Sequence, residues 1–158
     1  MKIMNPTYVH LVINHMAVIG TFLAVVVLLF AIKTDSRHTY FAAYTVLIIA
    51  TASAFVAYFS GEGAEETVEQ IAGVSESAIE QHEDSAKVTL IGFVILGCFT
   101  VVTIILTQRK QHLQRKLAAA VLAVSALAFS LAARTAWLGG KIRHTEITES
   151  RTAPQDDD

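Results

Sequence analysis

Residues 82–87 read His82-Glu83-Asp84-Ser85-Ala86-Lys87, and residues 88–107 continue as VTLIGFVILGCFTVVTIILT. A polar helical turn thus runs straight into an uncharged apolar run of about 20 residues, the length that crosses roughly 30 Å of hydrocarbon as a helix. A block this long, apolar on all sides, must satisfy its own backbone N–H and C=O groups once it leaves water, and a helix does so. Four windows of this kind are present, at approximately residues 8–32, 40–59, 86–107 and 117–138. With 53% of its 158 residues hydrophobic, the chain is too apolar for an ordinary soluble domain of that size. The expected fold is all-α: an antiparallel bundle of four transmembrane helices forming one domain over residues 1–150. Residues 151–158, ending in Asp156-Asp157-Asp158, are expected to be a disordered acidic tail.

The first window is not read as a cleaved secretory signal. Its apolar run is too long, its start is interrupted by His10, Asn14 and His15, and no small-x-small cleavage site follows. Cys98 is the single cysteine, so the chain forms no internal disulfide. No basic, aromatic-interleaved surface of the kind nucleic acid requires is present. The dense positive charge falls in two short connectors, with Lys33 and Arg37 in one and Arg109, Lys110, Arg115 and Lys116 in the other. The middle connector, residues 60–85, has no Lys or Arg and carries eight acids. Because short positive loops stay cytoplasmic, both termini and the acidic connector are expected on the extracytoplasmic side. Lys141, Arg143 and Arg151 after the fourth window pull the other way; density in the short loops decides the orientation. Tyr8, Tyr58 and Trp137 would form an outer aromatic belt, with Tyr40 and Tyr44 near the inner one.

Polar residues of the first window lie in its opening turns. His10 and Asn14 are four apart and share a helical face, whereas His15 lies about 140° round from His10 at 100° per residue. Glu62, Glu65, Glu66 and Glu69 fall at i, i+3, i+4 and i+7, one face of an expected short amphipathic helix in the outer connector, after Gly61 and Gly63 have ended the second span. Like charges so placed repel by about 0.2–0.5 kcal/mol per pair, so the stripe needs water or cations. Gly73 breaks this segment, and Ser77 with Glu80 fits a capping box, with Ser75 a second candidate cap. The third helix therefore starts near Ser77 and protrudes from the hydrocarbon. Glu76, Glu80, Glu83 and Lys87 form a solvated stripe on it, while His82 shares a smaller face with Ala78, Ser85, Ala86 and Thr89 and points toward the other helices. Arg134 sits about one turn inside the outer end of the fourth helix, where it either snorkels or turns inward to pair with Glu65 or Glu66 or to orient an anion. Gly139-Gly140 is read as the stop of that helix, letting His144 and Glu146 fold back over the mouth. His38 and His112, in the basic connectors, read as solvated.

Three segments taken together resemble a known family. They are His10-Leu-Val-Ile-Asn14-His15 with Gly20; Gly-Ala-Glu65-Glu66-x-Val-Glu69 followed by Gly73-Val-Ser75 and Ile79-Glu-x-His82-Glu83; and Ala133-Arg134-x-Ala-x-x-Gly139-Gly140-x-Ile-Arg143-His144-x-Glu146-Ile. The set resembles an uncharacterised family of small bacterial four-helix integral membrane proteins, a domain of unknown function. The likeness spans nearly the whole chain and implies the architecture and a shared group of positions, with no activity to carry over. Ala17 stands where members of that family often have Pro.

On the expected topology, His10, His15, His82 and His144 gather on one membrane face with Glu65, Glu66, Glu69 and Glu83. Mixed imidazole and carboxylate suits zinc, iron, copper or manganese, with Asn14 and Glu146 orienting the ligands. The first expectation is therefore a membrane protein that binds a transition metal at the extracytoplasmic mouth of the bundle, with a redox or hydrolytic role open. The alternative is a b-type haem held by two of these histidines in an electron-transfer protein, with Arg134, Lys141 and Arg143 as propionate partners. A third is a non-catalytic scaffold or partner subunit whose polar cap is a salt-bridge network. Transport is disfavoured because no charge lies mid-membrane. The lipid bilayer is the expected partner, together with a homo-oligomer or a membrane redox protein, and the expected location is a bacterial inner membrane with the site facing the periplasm or exterior.

Overall fold

The computed structural model describes residues 6–68 and 74–143, with the backbone alone for Pro6, residues 66–68 and Arg143. Four long helices make up almost all of it: α1 (Pro6–Thr34), α2 (Arg37–Val68), α3 (Glu76–Arg109) and α4 (Gln114–Arg143), with a short 3-10 turn at Gln111–Leu113 before α4. Each is long and apolar enough to cross a membrane. α1 packs on α2 and α4, and α3 packs on α4 and α2. The helices therefore stand in a square, with α1 and α3 diagonally opposite.

Large apolar side chains face outward. Leu11, Ile19, Phe22, Phe30, Ile91, Ile95, Ile105 and Leu127 are all exposed, a belt that would be a severe liability in water and is the solvated face in lipid. The interior is built from small residues, among them Ala24, Ala31, Ala43, Ala50, Ala118 and Ala128, which let helices approach where no hydrophobic effect drives them together. Four buried hydroxyls are satisfied within their own helices: Thr21, Thr100, Thr107 and Ser125 each donate to the carbonyl four residues back. They form no continuous polar path along the bundle axis.

α1 and α2 are joined by a tight turn in which Asp35 takes a left-handed φ of 50°, a conformation Asp tolerates better than most residues. The Tyr40 hydroxyl donates to the Asp35 carboxylate at 3.2 Å. Tyr40 and Tyr44, expected in an interfacial belt, are instead buried at 1% exposure and stack on each other, so they fill the bundle rather than anchor its rim. Tyr8 and Trp137 are exposed as expected.

Two boundaries differ from the sequence reading, and the start of α3 agrees with it. Gly61 and Gly63 do not end α2, which runs on to Val68, so Glu62 and Glu65 sit on its last turns rather than on a separate helix. Likewise Gly139-Gly140 lies inside α4, which ends at Arg143. The cost of Gly in a helix, about 1 kcal/mol relative to Ala, is too small to end either helix, and at Gly139 the missing side chain leaves the space that the His82 ring occupies. α3 begins one residue before the expected Ser77, with Ser75 as its N-cap but without a side-chain capping bond; the Ser75 hydroxyl is engaged with that of Ser77 at 2.9 Å.

Candidate functional site

His10 lies in the second turn of α1 and His82 in the second turn of α3, at the same end of the bundle and on diagonally opposite helices. Both are half-buried. His10 donates from Nδ1 to the Ala57 carbonyl on α2 at 2.8 Å, and His82 donates from Nδ1 to the Thr135 carbonyl on α4 at 3.0 Å. A carbonyl only accepts, so the proton of each neutral imidazole is on Nδ1 and Nε2 keeps its lone pair. The ring centroids are 6.4 Å apart, with the ring planes 80° to each other.

Glycines make this placement possible. Gly61 stands four residues past Ala57, and Gly139 four past Thr135, so each lies on the helical face that carries the acceptor carbonyl. A Cβ at Gly139 would meet His82 Cε1 at 3.0 Å and Nδ1 at 3.1 Å, closer than unstrained packing allows. A Cβ at Gly61 would meet His10 Cε1 at 3.6 Å, an ordinary contact. The hairpins α1–α2 and α3–α4 thus present the same unit: an imidazole on the first helix, seated on a carbonyl and a glycine of the second.

Around the pair several interior groups are polar. The Thr135 hydroxyl is the hub of a small network, 2.7 Å from Ser85 Oγ and 2.8 Å from Thr89 Oγ1. Asn14 lies one turn deeper than His10 on the same helical face, and its Oδ1 is buried without a hydrogen-bond partner. The bundle's largest fully buried apolar side chains, among them Tyr40, Tyr44, Leu28, Leu47 and Phe93, lie at mid-bundle or toward the basic connectors. In the histidine half the buried positions are Ala17, Ser53, Ala54, Ala57, Ala64, Ser85, Thr89 and Ala132, together with the larger Ile79 and Leu138. These retain 4–9% exposure, whereas the large buried side chains of the other half fall below 2%.

The other expected ligands among the described residues do not join the pair. His15 is exposed and bonds its own helix, Nδ1 to the Leu11 carbonyl at 2.7 Å, as the 140° offset from His10 requires. Glu83 turns to Lys87 at 3.2 Å on the solvated stripe of α3, and Asp84 approaches the same ammonium at 3.4 Å. Glu65 is half-buried near the end of α2, while Arg134 is exposed on α4 and makes no ion pair among the described residues. Lys141 lies over the Trp137 ring at 3.6 Å. Among the described residues no group of three or more His, Cys, Asp or Glu side chains gathers about a point, so the expected many-ligand cluster reduces there to two imidazoles. Glu69, His144 and Glu146 lie outside the described residues, as do the side chains of Glu66 and Arg143.

Sequence reasoning missed four participants: the Ala57 and Thr135 carbonyls, Gly61 and Gly139. Backbone acceptors leave no mark on residue type. Their signal was the small-xxx-small spacing Ala57–Gly61 and Thr135–Gly139, which marks close helix approach and was read instead as helix termination.

Thr135→Val should separate the hydroxyl network from the imidazole. It strands two buried hydroxyls, a loss of about 1–3 kcal/mol visible as a lower melting temperature in detergent. The backbone acceptor of His82 survives the change, so whatever the imidazoles bind should be retained at the wild-type level.

A family model described as "Predicted membrane protein (DUF2231)" matches residues 5–147. No curated protein and no solved structure matches the chain. Spanning most of the sequence and both hairpins of the bundle, that match agrees with the four membrane-length helices and carries no activity with it. The chain is a membrane protein in contact with the lipid bilayer, and it belongs to the DUF2231 family of predicted membrane proteins.

Proposed function

We propose that this protein binds a b-type haem between His10 and His82 and serves as a membrane electron-transfer module. The observation that carries the reading is the imidazole pair itself: two rings from diagonal helices, 6.4 Å apart, each with its Nδ1 proton held by a backbone carbonyl. Metal-bound histidines characteristically donate their second N–H in this way, which fixes the tautomer and raises the basicity of the ligating nitrogen. Two metal–nitrogen bonds of about 2 Å, end to end with the ring radii added, carry imidazole centres roughly 6 Å apart. Three tetrahedral ligands about a small ion would draw the rings closer than that. The small buried residues of the histidine half, the glycine seat under His82 and the unpartnered Asn14 Oδ1 are also consistent with a bulky flat group carrying polar substituents. Arg134 and Lys141 supply cations at this end of the bundle, and Arg143 continues the series.

A haem held by both His10 and His82 would supply one-electron transfer rather than oxygen binding. The chain's own task is then to hold two neutral imidazoles at fixed orientation and to keep bulk water from the site with its helices. Charge density in the short connectors supports a site on the extracytoplasmic face of a bacterial inner membrane, where a membrane redox partner or a second copy would exchange electrons with it.

The second reading is a transition-metal ion held by the same two imidazoles together with carboxylates of the acidic connector. Free Nε2 lone pairs suit it equally well. The test is the visible spectrum and elemental content of full-length protein purified in mild detergent from haem-sufficient cells, without added metal. A Soret band that shifts on reduction is expected. Stoichiometric zinc, copper or manganese without a Soret band would replace the haem reading with the ion reading. Neither colour nor metal would leave the scaffold.

A further inference from the structure

The two hairpins share more than the imidazole seat. His82 stands 72 positions after His10, and the same step carries Gly20 onto Gly92. It also carries every buried position of α1 among the described residues, Ala17, Thr21, Ala24, Leu28 and Ala31, onto Thr89, Phe93, Leu96, Thr100 and Thr103, all buried on α3. Between α2 and α4 the step is 78 positions. It takes Ala57 and Gly61, the seat of His10, onto Thr135 and Gly139, the seat of His82. It takes the buried Tyr40, Ala43, Leu47, Ala50 and Ala54 onto Ala118, Val121, Ser125, Ala128 and Ala132, which are buried likewise. The six residues by which the two steps differ lie in the second connector, where α3 runs on to Arg109 and the 3-10 turn Gln111–Leu113 follows.

We infer that the chain is a tandem duplication of one helical hairpin, closed about a two-fold axis along the bundle, and that the candidate site lies on this axis and takes its ligand with one equivalent imidazole from each copy. Helical periodicity alone lets two buried faces match at shifts of two turns, about seven residues. The histidines and glycines select one shift among these. The hydrogen bonds select the same one: Nδ1 of each imidazole meets the matching carbonyl of its own hairpin, at 2.8 and 3.0 Å. Helix packing agrees. α1 packs on α4 as α3 does on α2, an arrangement that exchanging the hairpins leaves unchanged. Residue size is traded between the copies: Thr21 and Ala24 answer to Phe93 and Leu96, while Tyr40 and Leu47 answer to Ala118 and Ser125. Trades of this kind keep the volume of a shared core while residue identity drifts.

Equivalent histidines imply a ligand with equivalent faces. That this ligand is a haem rests on the reading proposed above; the symmetry of the donor set does not. Acids at the outer end of the first copy have no counterpart in the second, where Glu62 falls on Gly140 and Glu65 on Arg143. What the copies have in common there is the imidazole and its backbone seat. The ligand accordingly accepts two like nitrogen donors across the axis, as a metal centre with two opposed open positions does, and takes no carboxylate from the connector.

The test places pairs of spin labels on full-length protein in nanodiscs and reads their separation by pulsed electron paramagnetic resonance. A two-fold axis requires matched pairs to give one distance. In a Cys98→Val background, Ile19→Cys with Leu127→Cys and its counterpart Ile91→Cys with Ile49→Cys, four outward-facing positions, should agree within the width of either distribution. So should Val26→Cys with Ala123→Cys in that background and the native Cys98 with Thr45→Cys, again four exposed positions. The two comparisons use different sites, so a variant that fails to fold leaves the other to decide. A mismatch within either comparison would overturn the duplication. Bound chromophore or metal per chain should fall by the same factor, about tenfold or more, in His10→Ala and His82→Ala, and should stay at the wild-type level when Glu62→Gln and Glu65→Gln are combined. Loss from one histidine variant alone, or from the carboxylate variant, would overturn the two-imidazole donor set. Matched distances in a protein that carries neither chromophore nor metal would sink the haem reading and still support the two-copy fold.

Discussion

On the proposed haem reading, full-length His82→Ala protein, purified beside wild type, should lose the Soret band, retaining about a tenth or less of the wild-type absorbance per chain because one of the two imidazoles that would hold the haem is gone. His10→Ala should do the same from the other side of the bundle. His15→Ala should leave the spectrum unchanged, since His15 is exposed and bonded to its own helix. These three substitutions separate the diagonal pair from a generic histidine-rich end. The alanine variants also lose a hydrogen bond between helices, worth about 0.5–1.5 kcal/mol, so a fall in stability alone decides nothing. Added imidazole does decide. It should enter the space vacated at position 82 and restore the band, which a purely structural histidine would not permit. If His82→Ala keeps its colour, the pair is not the ligand set.

The second large effect is expected from neighbouring glycines. Gly140→Ala meets nothing within 4 Å and should stabilise the protein by about 1 kcal/mol, the ordinary gain of Ala over Gly inside a helix. Gly139→Ala carries the same propensity gain but drives its methyl to 3.0 Å from His82 Cε1. The ring must move off its seat, at an overpacking cost of about 1–3 kcal/mol, and its bond to the Thr135 carbonyl goes with it. Thermal unfolding of the two variants should therefore differ in sign or nearly so, and bound cofactor should fall severalfold in Gly139→Ala alone. Gly139→Val should exaggerate the contrast. Two variants alike in both stability and cofactor content would remove the glycine seat from the account.

The architecture was legible because lipid imposes one rule on every residue of a span. The run from Val88 to Thr107 has a single way to satisfy its backbone, and the helix built on it follows. The orientation of His82 was legible too: Ser85 and Thr89, its neighbours on the small face, are buried, while the Glu83–Lys87 stripe faces outward as an ion pair. The pairing of His10 with His82 was not legible. Helix periodicity fixes which residues share a face but not which faces meet across a square of helices. Nor does it reveal acceptors that are backbone atoms. The glycines misled for a related reason: Gly61 and Gly139 read as breaks when only local propensity is weighed, yet each is kept helical by its surroundings, and at Gly139 the neighbouring imidazole occupies the space a side chain would need.

The uneven filling of the bundle has one further consequence. Tyr40, Tyr44, Leu28 and Leu47 fill the basic half, while the half around His10 and His82 is packed mainly by alanines and hydroxyls with Ile79 and Leu138. On the proposed function, this unevenness assigns the entry of a guest to the histidine end, like tweezers joined at the other. A rigid planar guest could then slip in sideways after the chain has been inserted and folded, with no need to unthread any helix from the bilayer.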